Sequence, residues 1–192
     1  MKIVVARYKE DIRWTYQFPN VIIYNKGPPL NELNVIPLEN VGREGHTYYQ
    51  YIVDHYDDLD DYTVFLQGNP FDHSPNIIQV LRDYFEERKT CSGFQHVSEC
   101  IRQTNISKCP LWHKVPMQRV YNRVFHRAKQ PIIENKQGWF SFGCGAQFIV
   151  SREYIQARPR EFYMKIVKLL EYSSDPIEGH AIERFHTLIF QG

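Results

Sequence analysis

The residues point to an α/β fold, a single domain on a mostly parallel mixed sheet flanked by helices, and three observations carry that reading. KIVVA (2–6) and VIIYN (21–25) are short β-branched runs suited to strands buried on both faces. YTVFLQG (62–68) is a third such run, and segments of helical period flank it. Strands that alternate with helices over residues 1–90 imply βαβ units and hence parallel pairing.

The elements follow in order. KGPP closes the second run as a turn, and VIPL (35–38) is a weaker strand. Over 42–56, Tyr48, Tyr51, Ile52 and His55 stand at helical spacing, which favours a helix despite the β-prone tyrosines. In SPNIIQVLRDYFEERK (74–89), Ser74 is placed to cap and Pro75 to open a helix whose apolar stripe is Ile77, Ile78, Leu81, Tyr84 and Phe85. Residues 90–137 have no clean period apart from a short helix at 117–125, and a long irregular segment in a compact domain commonly carries function or is loosely ordered. WFSFGCGAQFIVS (139–151) reads as a glycine-punctuated strand pair, or as a strand and a loop. Amphipathic helices are expected over 159–172 and 175–190, the second with Asp175 as cap and Pro176 at its first position.

One domain over 1–192 is expected, because a chain of this length with 43% hydrophobic content buries one good core. The formal charge of +1 sets up no global field for nucleic acid or a membrane surface. No stretch approaches the ~20 apolar residues of a bilayer span, and MKIVVARYKED becomes charged too early for a signal peptide. A soluble, cytoplasmic protein is the expectation. Cys91, Cys100, Cys109 and Cys144 match no zinc or CxxC spacing, so free thiols are expected, with a disulfide inside 91–109 as the alternative. Aromatic residues reach 15%, enough to pack the core and leave rings for stacking on a ligand.

In open parallel sheets ligands bind outside the carboxyl ends of the strands. The loops after residues 6, 25 and 68 therefore converge on one crevice, bringing Arg7, Tyr8, Lys26, Asn69, Asp72 and His73. Arg7, Lys26 and Arg43 sit at strand ends and a helix start, which suits phosphate. One carboxylate about 4 Å from a phosphate charge costs on the order of 4 kcal/mol at an effective dielectric near 20, so Asp72 would spoil such a site. A divalent cation between carboxylate and diphosphate reverses that sign. Asp72 thus argues for a metal bridge with His73 as an extra ligand, and the competing reading makes both ordinary turn residues before a helix. The acidic run Asp57, Asp58, Asp60 and Asp61 precedes the strand, at the opposite edge from the crevice, and reads as a solvated loop.

Taken together, IVVARYKED, VIIYNKG, GAQFIVSRE and a helical C-terminus resemble the GT-A class of nucleotide-sugar glycosyltransferases. VARYKEDIRW, NVGREGHTYYQYI, FLQGNPFDH and HAIERFH are more closely similar to a small family of fungal and algal-virus proteins that includes chlorovirus glycosyltransferases acting on capsid glycans. The resemblance runs over most of 3–190 and is thinnest over 90–137. It implies a UDP-sugar donor, Mn²⁺ or Mg²⁺ on the diphosphate, and transfer of the sugar to a hydroxyl of a glycan or glycoprotein acceptor, in the host cytoplasm if the chain is viral. It also implies a nucleotide-binding part over about 1–90 and an acceptor and sugar part over about 91–192.

Carried over by position, Val5, Ala6 and Arg7 would hold uracil and ribose, and Lys26 and Arg43 the nucleotide or its phosphates. The family's Asp-x-Asp metal signature falls at QGNPFD, where Gln67 and Asn69 replace the usual acids and Asp72 lies three residues beyond Asn69. Trp139 would offer a stacking face along the sugar and Gly145 would let backbone approach it, although Trp139, Phe140 and Phe142 read equally as core. His180 would reach the metal or the phosphates. Glu178 and Glu183 are the candidate bases for the acceptor hydroxyl, and a capping-box spacing from Asp175 accounts for Glu178 without chemistry.

Two other classes compete. A metal-dependent phosphoesterase would use Asp72, His73 and His180 with two metals about 4 Å apart, and a carbohydrate-binding module would use the aromatics alone. Nucleophilic catalysis by Cys144 is poorly supported, because a glycine-flanked cysteine in an apolar strand is more often structural.

Overall fold

A computed structural model describes residues 1–191 apart from 33, 92 and 134. Its central sheet has six strands in the order β3–β2–β1–β4–β8–β5. These are β1 (Lys2–Arg7), β2 (Val21–Asn25), β3 (Val35–Pro37), β4 (Tyr62–Gln67), β5 (Phe94–His96) and β8 (Phe148–Ser151). The first four run parallel, with Val4 opposite Ile22 on one side and Phe65 on the other. β8 lies antiparallel to both β4 and β5. A separate two-stranded antiparallel sheet pairs β6 (Ile101–Asn105) with β7 (Trp139–Gly143). The helices are α1 (Arg43–Asp54), α2 (Ile77–Phe85), α3 (Met117–Phe125), α4 (Arg152–Gln156), α5 (Arg160–Leu170) and α6 (Ile177–Phe190).

The twofold alternation of strand side chains divides the core. Ile3, Val5, Val64, Leu66 and Ile149 face one side, where Ile77 and Leu81 of α2 cover them. Val4, Phe65, Phe148 and Val150 face the other, under the larger layer of α1, α3, α5 and α6. The α1 tyrosines belong to that layer. Tyr48 packs against Phe65 and Phe148, and Tyr49 stacks on Tyr163 and Phe190. Burying such rings, each worth roughly 1.5–3 kcal/mol, outweighs the weak helix propensity of tyrosine.

Several local expectations are corrected. α2 starts at Ile77 and ends at Phe85, and Ser74 does not cap it. The Ser74 hydroxyl donates instead to the Val97 carbonyl, tying the turn to the end of β5. α6 starts after Pro176 with no side-chain cap, because the Asp175 carboxylate turns to Arg43. The 139–151 stretch does give two strands, but they belong to different sheets, joined by a tight turn over Cys144–Ala146. Residues 90–137 supply β5 and β6 as well as the anticipated helix.

The acidic run lies before β4, where Asp60 pairs with Lys2, Asp61 with Arg152 and Asp57 with Arg160. All four cysteines are free thiols. Among the described residues, no helix is long and apolar enough to cross a membrane.

Candidate functional site

Adjacent parallel strands deliver their last residues to one edge of the sheet: Arg7 stands opposite Asn25, and Ala6 opposite Gln67. The loops that follow them enclose a crevice of about 390 Å³, lined by Ala6, Arg7, Tyr8, Glu10, Lys26, Asn40, Arg43, Glu44, Gln67, Gly68, Asn69 and Asp72. The sequence-level prediction of a crevice at these strand ends therefore matches the geometry. Five of the expected ligand-holding residues line it: Ala6, Arg7, Lys26, Arg43 and Asn69. Asp72 joins them.

Val5 does not. It is fully buried on the α2 face, because strand alternation points Val5 away from Ala6.

The three cations are partly committed to the protein. The Arg7 guanidinium donates to the Asn25 side chain at 2.6 Å and to the carbonyls of Glu10 and Tyr8. The Lys26 ammonium donates to the carbonyls of Val41 and Arg43, leaving one of its three N–H bonds for a ligand. Burial lowers the Lys26 pKa to about 8.

Arg43 is held in the left-handed region at φ 54, directly after Gly42 at φ 67. A Cβ at Gly42 would lie 2.4 Å from the His46 Cβ, so only glycine lets α1 start here. Backbone strain at a non-glycine residue persists only where surrounding structure enforces it. Here Asp175 and His180 do so through the Arg43 Nη1, at 3.2 and 2.9 Å.

Arg43 joins the crevice to α6. Because a guanidinium only donates, His180 Nε2 is the acceptor, which commits that lone pair. Burial, and then the Arg43 charge, lower the His180 pKa to about 4, so the ring is neutral. The edge of Trp112 packs against it, with ring centroids 4.3 Å apart.

Glu183, one turn further on, accepts the Gly145 N–H at 2.9 Å. Burial, and then the nearby Glu44 carboxylate, raise its pKa. A carboxyl group held near a like charge and out of water is the ordinary signature of a proton-transfer candidate.

Glu178 sits elsewhere. It accepts Arg119 at 2.6 Å and the Tyr172 hydroxyl at 2.5 Å, which ties α6 to α3. His73 packs under Gly145, where an added Cβ would lie 2.3 Å from the His73 ring, and it is not among the residues lining the crevice.

Trp139 lines a second hollow of about 610 Å³ beside β5 and α6, shared with His96, Gln103, Ser141 and Thr187. This hollow is the larger, yet no Asp, Glu, Lys or Arg is among the described residues that line it, and the charged groups gather at the crevice.

The fit to a divalent cation rests on Asp72. Its carboxylate is exposed and accepts Asn69 Nδ2 at 3.2 Å. Among the described residues, no three His, Cys, Asp or Glu side chains converge to hold a metal. Mg²⁺ in phosphate sites is commonly held by one or two carboxylates plus substrate phosphates and water, so this arrangement suits an ion that arrives with a diphosphate.

Sequence reasoning missed Glu10, Asn40, Glu44 and Asp175. Glu44 alone carried a signal, as an acid in the first turn of a helix that opens at the crevice. A family model described as "Protein of unknown function (DUF3431)" matches residues 3–192. No curated protein and no solved structure matches the chain significantly.

Proposed function

We propose that this chain, which belongs to the DUF3431 family, is a glycosyltransferase that binds a UDP-sugar in the crevice at the ends of β1, β2 and β4 and passes the sugar to a glycan hydroxyl. The observation that carries the reading is that Arg7, Lys26 and Arg43 line one crevice with the exposed carboxylate of Asp72, while Glu44 of the same lining helps raise the pKa of the half-buried Glu183. Three cations suit a diphosphate, and an acid among them suits a cation brought by it.

Under this reading Arg7 and Lys26 hold the nucleotide end, and Arg43, steadied by Asp175, faces the phosphates. Asp72 would help hold a Mn²⁺ or Mg²⁺ ion, which would supply Lewis-acid stabilisation of the leaving group. Glu183, oriented by the Gly145 N–H, takes the proton of the acceptor hydroxyl. Glu178, committed to Arg119 and Tyr172, serves to anchor α6.

The test is calorimetry with UDP, GDP and CMP, each with and without Mn²⁺. Binding confined to UDP plus metal supports the proposal, as does loss of the metal-dependent part in Asp72→Ala. Nucleotide binding indifferent to metal in both proteins would overturn it.

A further inference from the structure

Cys100 and Cys144 lie just beyond the end of the β6–β7 ladder. The ladder pairs Ile101 with Gly143, so the same register sets Cys100 directly opposite Cys144. The Cys144 N–H donates to the Cys100 carbonyl at 2.9 Å, and the two sulfurs stand 2.8 Å apart. Both residues are partly exposed, and Arg102 Nε approaches the Cys100 sulfur at 3.4 Å. Cys91 and Cys109 are buried and differ in this respect.

The geometry points to Cys100 and Cys144 as a dithiol–disulfide pair, closed reversibly by small-molecule disulfides, whose closure fixes the turn that presents the Gly145 N–H to Glu183. The inference does not depend on what the crevice binds.

Hydrogen bonding from the Cys144 thiol, and then from Arg102, lowers the Cys100 pKa, whereas burial and then Cys100 raise that of Cys144 to about 11. Cys100 is therefore the attacking thiolate. Its sulfur attacks glutathione disulfide, forming a mixed disulfide and releasing one glutathione thiolate. The Cys144 sulfur, losing its proton, then attacks the Cys100 sulfur and releases the second. Two electrons pass from the cysteines to glutathione disulfide, and the two thiol protons end on the two glutathiones.

The bridge would join two segments that both meet His73. On one side the Ser98 hydroxyl and the Glu99 N–H both donate to the His73 carbonyl. On the other, Gly145 packs on the His73 ring and donates to Glu183. Exposed disulfides are the labile ones, which suits a reversible device rather than a permanent staple.

The experiment equilibrates the intact chain with excess glutathione disulfide, then alkylates it and measures intact mass and peptides. The expected result is a loss of two hydrogens, a cross-linked Cys100–Cys144 peptide, and reversal by dithiothreitol. Glutathione adducts without a cross-link, or both thiols fully alkylated, would overturn the assignment. Cys144→Ser should trap glutathione on Cys100 and Cys109→Ser should leave the cross-link intact. Loss of the cross-link in Cys109→Ser counts against the pair. Amide hydrogen exchange at Gly145 should slow in the cross-linked form, and an unchanged rate would sink its link to Glu183.

Discussion

Arg43 Nη1 donates to His180 Nε2 at 2.9 Å across 137 residues of chain. That contact joins the start of α1, delivered by the first half of the sheet, to the start of α6. It places Glu183, three residues beyond His180 on α6, within electrostatic reach of Arg43 and Glu44. The half-buried acid and the crevice thus share the charges of Arg43 and Glu44.

Glu183→Gln tests the role of that acid. Proton transfer by a positioned carboxylate is worth about 10²–10⁴-fold. The variant should lose sugar transfer by that factor and keep its UDP affinity, read by product formation and calorimetry on the same preparation. A proportional loss of both would make Glu183 a binding residue instead.

Lys26 gives a pH signature. Its pKa is lowered to about 8, so the free protein loses this charge as pH rises through 8. A diphosphate favours the charged form, so UDP affinity should fall above pH 8 and binding there should take up a proton. Lys26→Met should bind more weakly throughout and show a flat profile over the same range.

Four histidines set the acid limb of stability. His46, His96 and His180 have pKa values lowered to about 4 and His186 to about 3, each chiefly by burial. A depressed histidine contributes stability that is fully present above 6.5 and is lost as pH falls toward 4. Glu183 works in the opposite sense: its raised pKa stabilises the fold at low pH and costs stability as pH rises. Unfolding near pH 5 should therefore take up about four protons, less the fraction that Glu183 releases. Calorimetric unfolding in buffers of different ionisation enthalpy counts them.

Arg158 should be the most damaging charged residue to truncate. It is 2% exposed, donates to the carbonyls of Leu188, Ile189 and Lys129, and lies over the rings of Phe125 and Phe162. Arg158→Ala leaves the last carbonyls of α6 unpaired, at about 2–4 kcal/mol. Urea unfolding should show that loss with little change in the m-value.

Much of the fold was legible because β-strands announce themselves locally. Val4 and its neighbours in β1, like Phe65 in β4, are apolar on both faces, and only a sheet covered on both sides buries such a run. Strands of that kind also fix which end of the sheet carries the crevice, so Arg7, Lys26, Asn69 and Asp72 were found from topology alone. β5 and β6 were missed because three to five residues with mixed polarity carry no period. The cap assigned to Ser74 failed because its hydroxyl donates instead to the Val97 carbonyl, a partner that only tertiary packing supplies.

Residue spacing by itself determined the parallel strands, the major helices and the cations at the strand ends, since each follows from periodicity within a dozen residues. Only the tertiary structure decided which acids keep company with those cations. Glu183 faces Gly145, Glu178 faces Arg119, and Trp139 lines a different hollow, although all three lay in segments with equal claim to the site. The reason is physical: a helix or strand period fixes the direction of a side chain relative to its own element. What that side chain meets depends on contacts such as Arg43 with His180, made between parts of the chain that no local pattern relates.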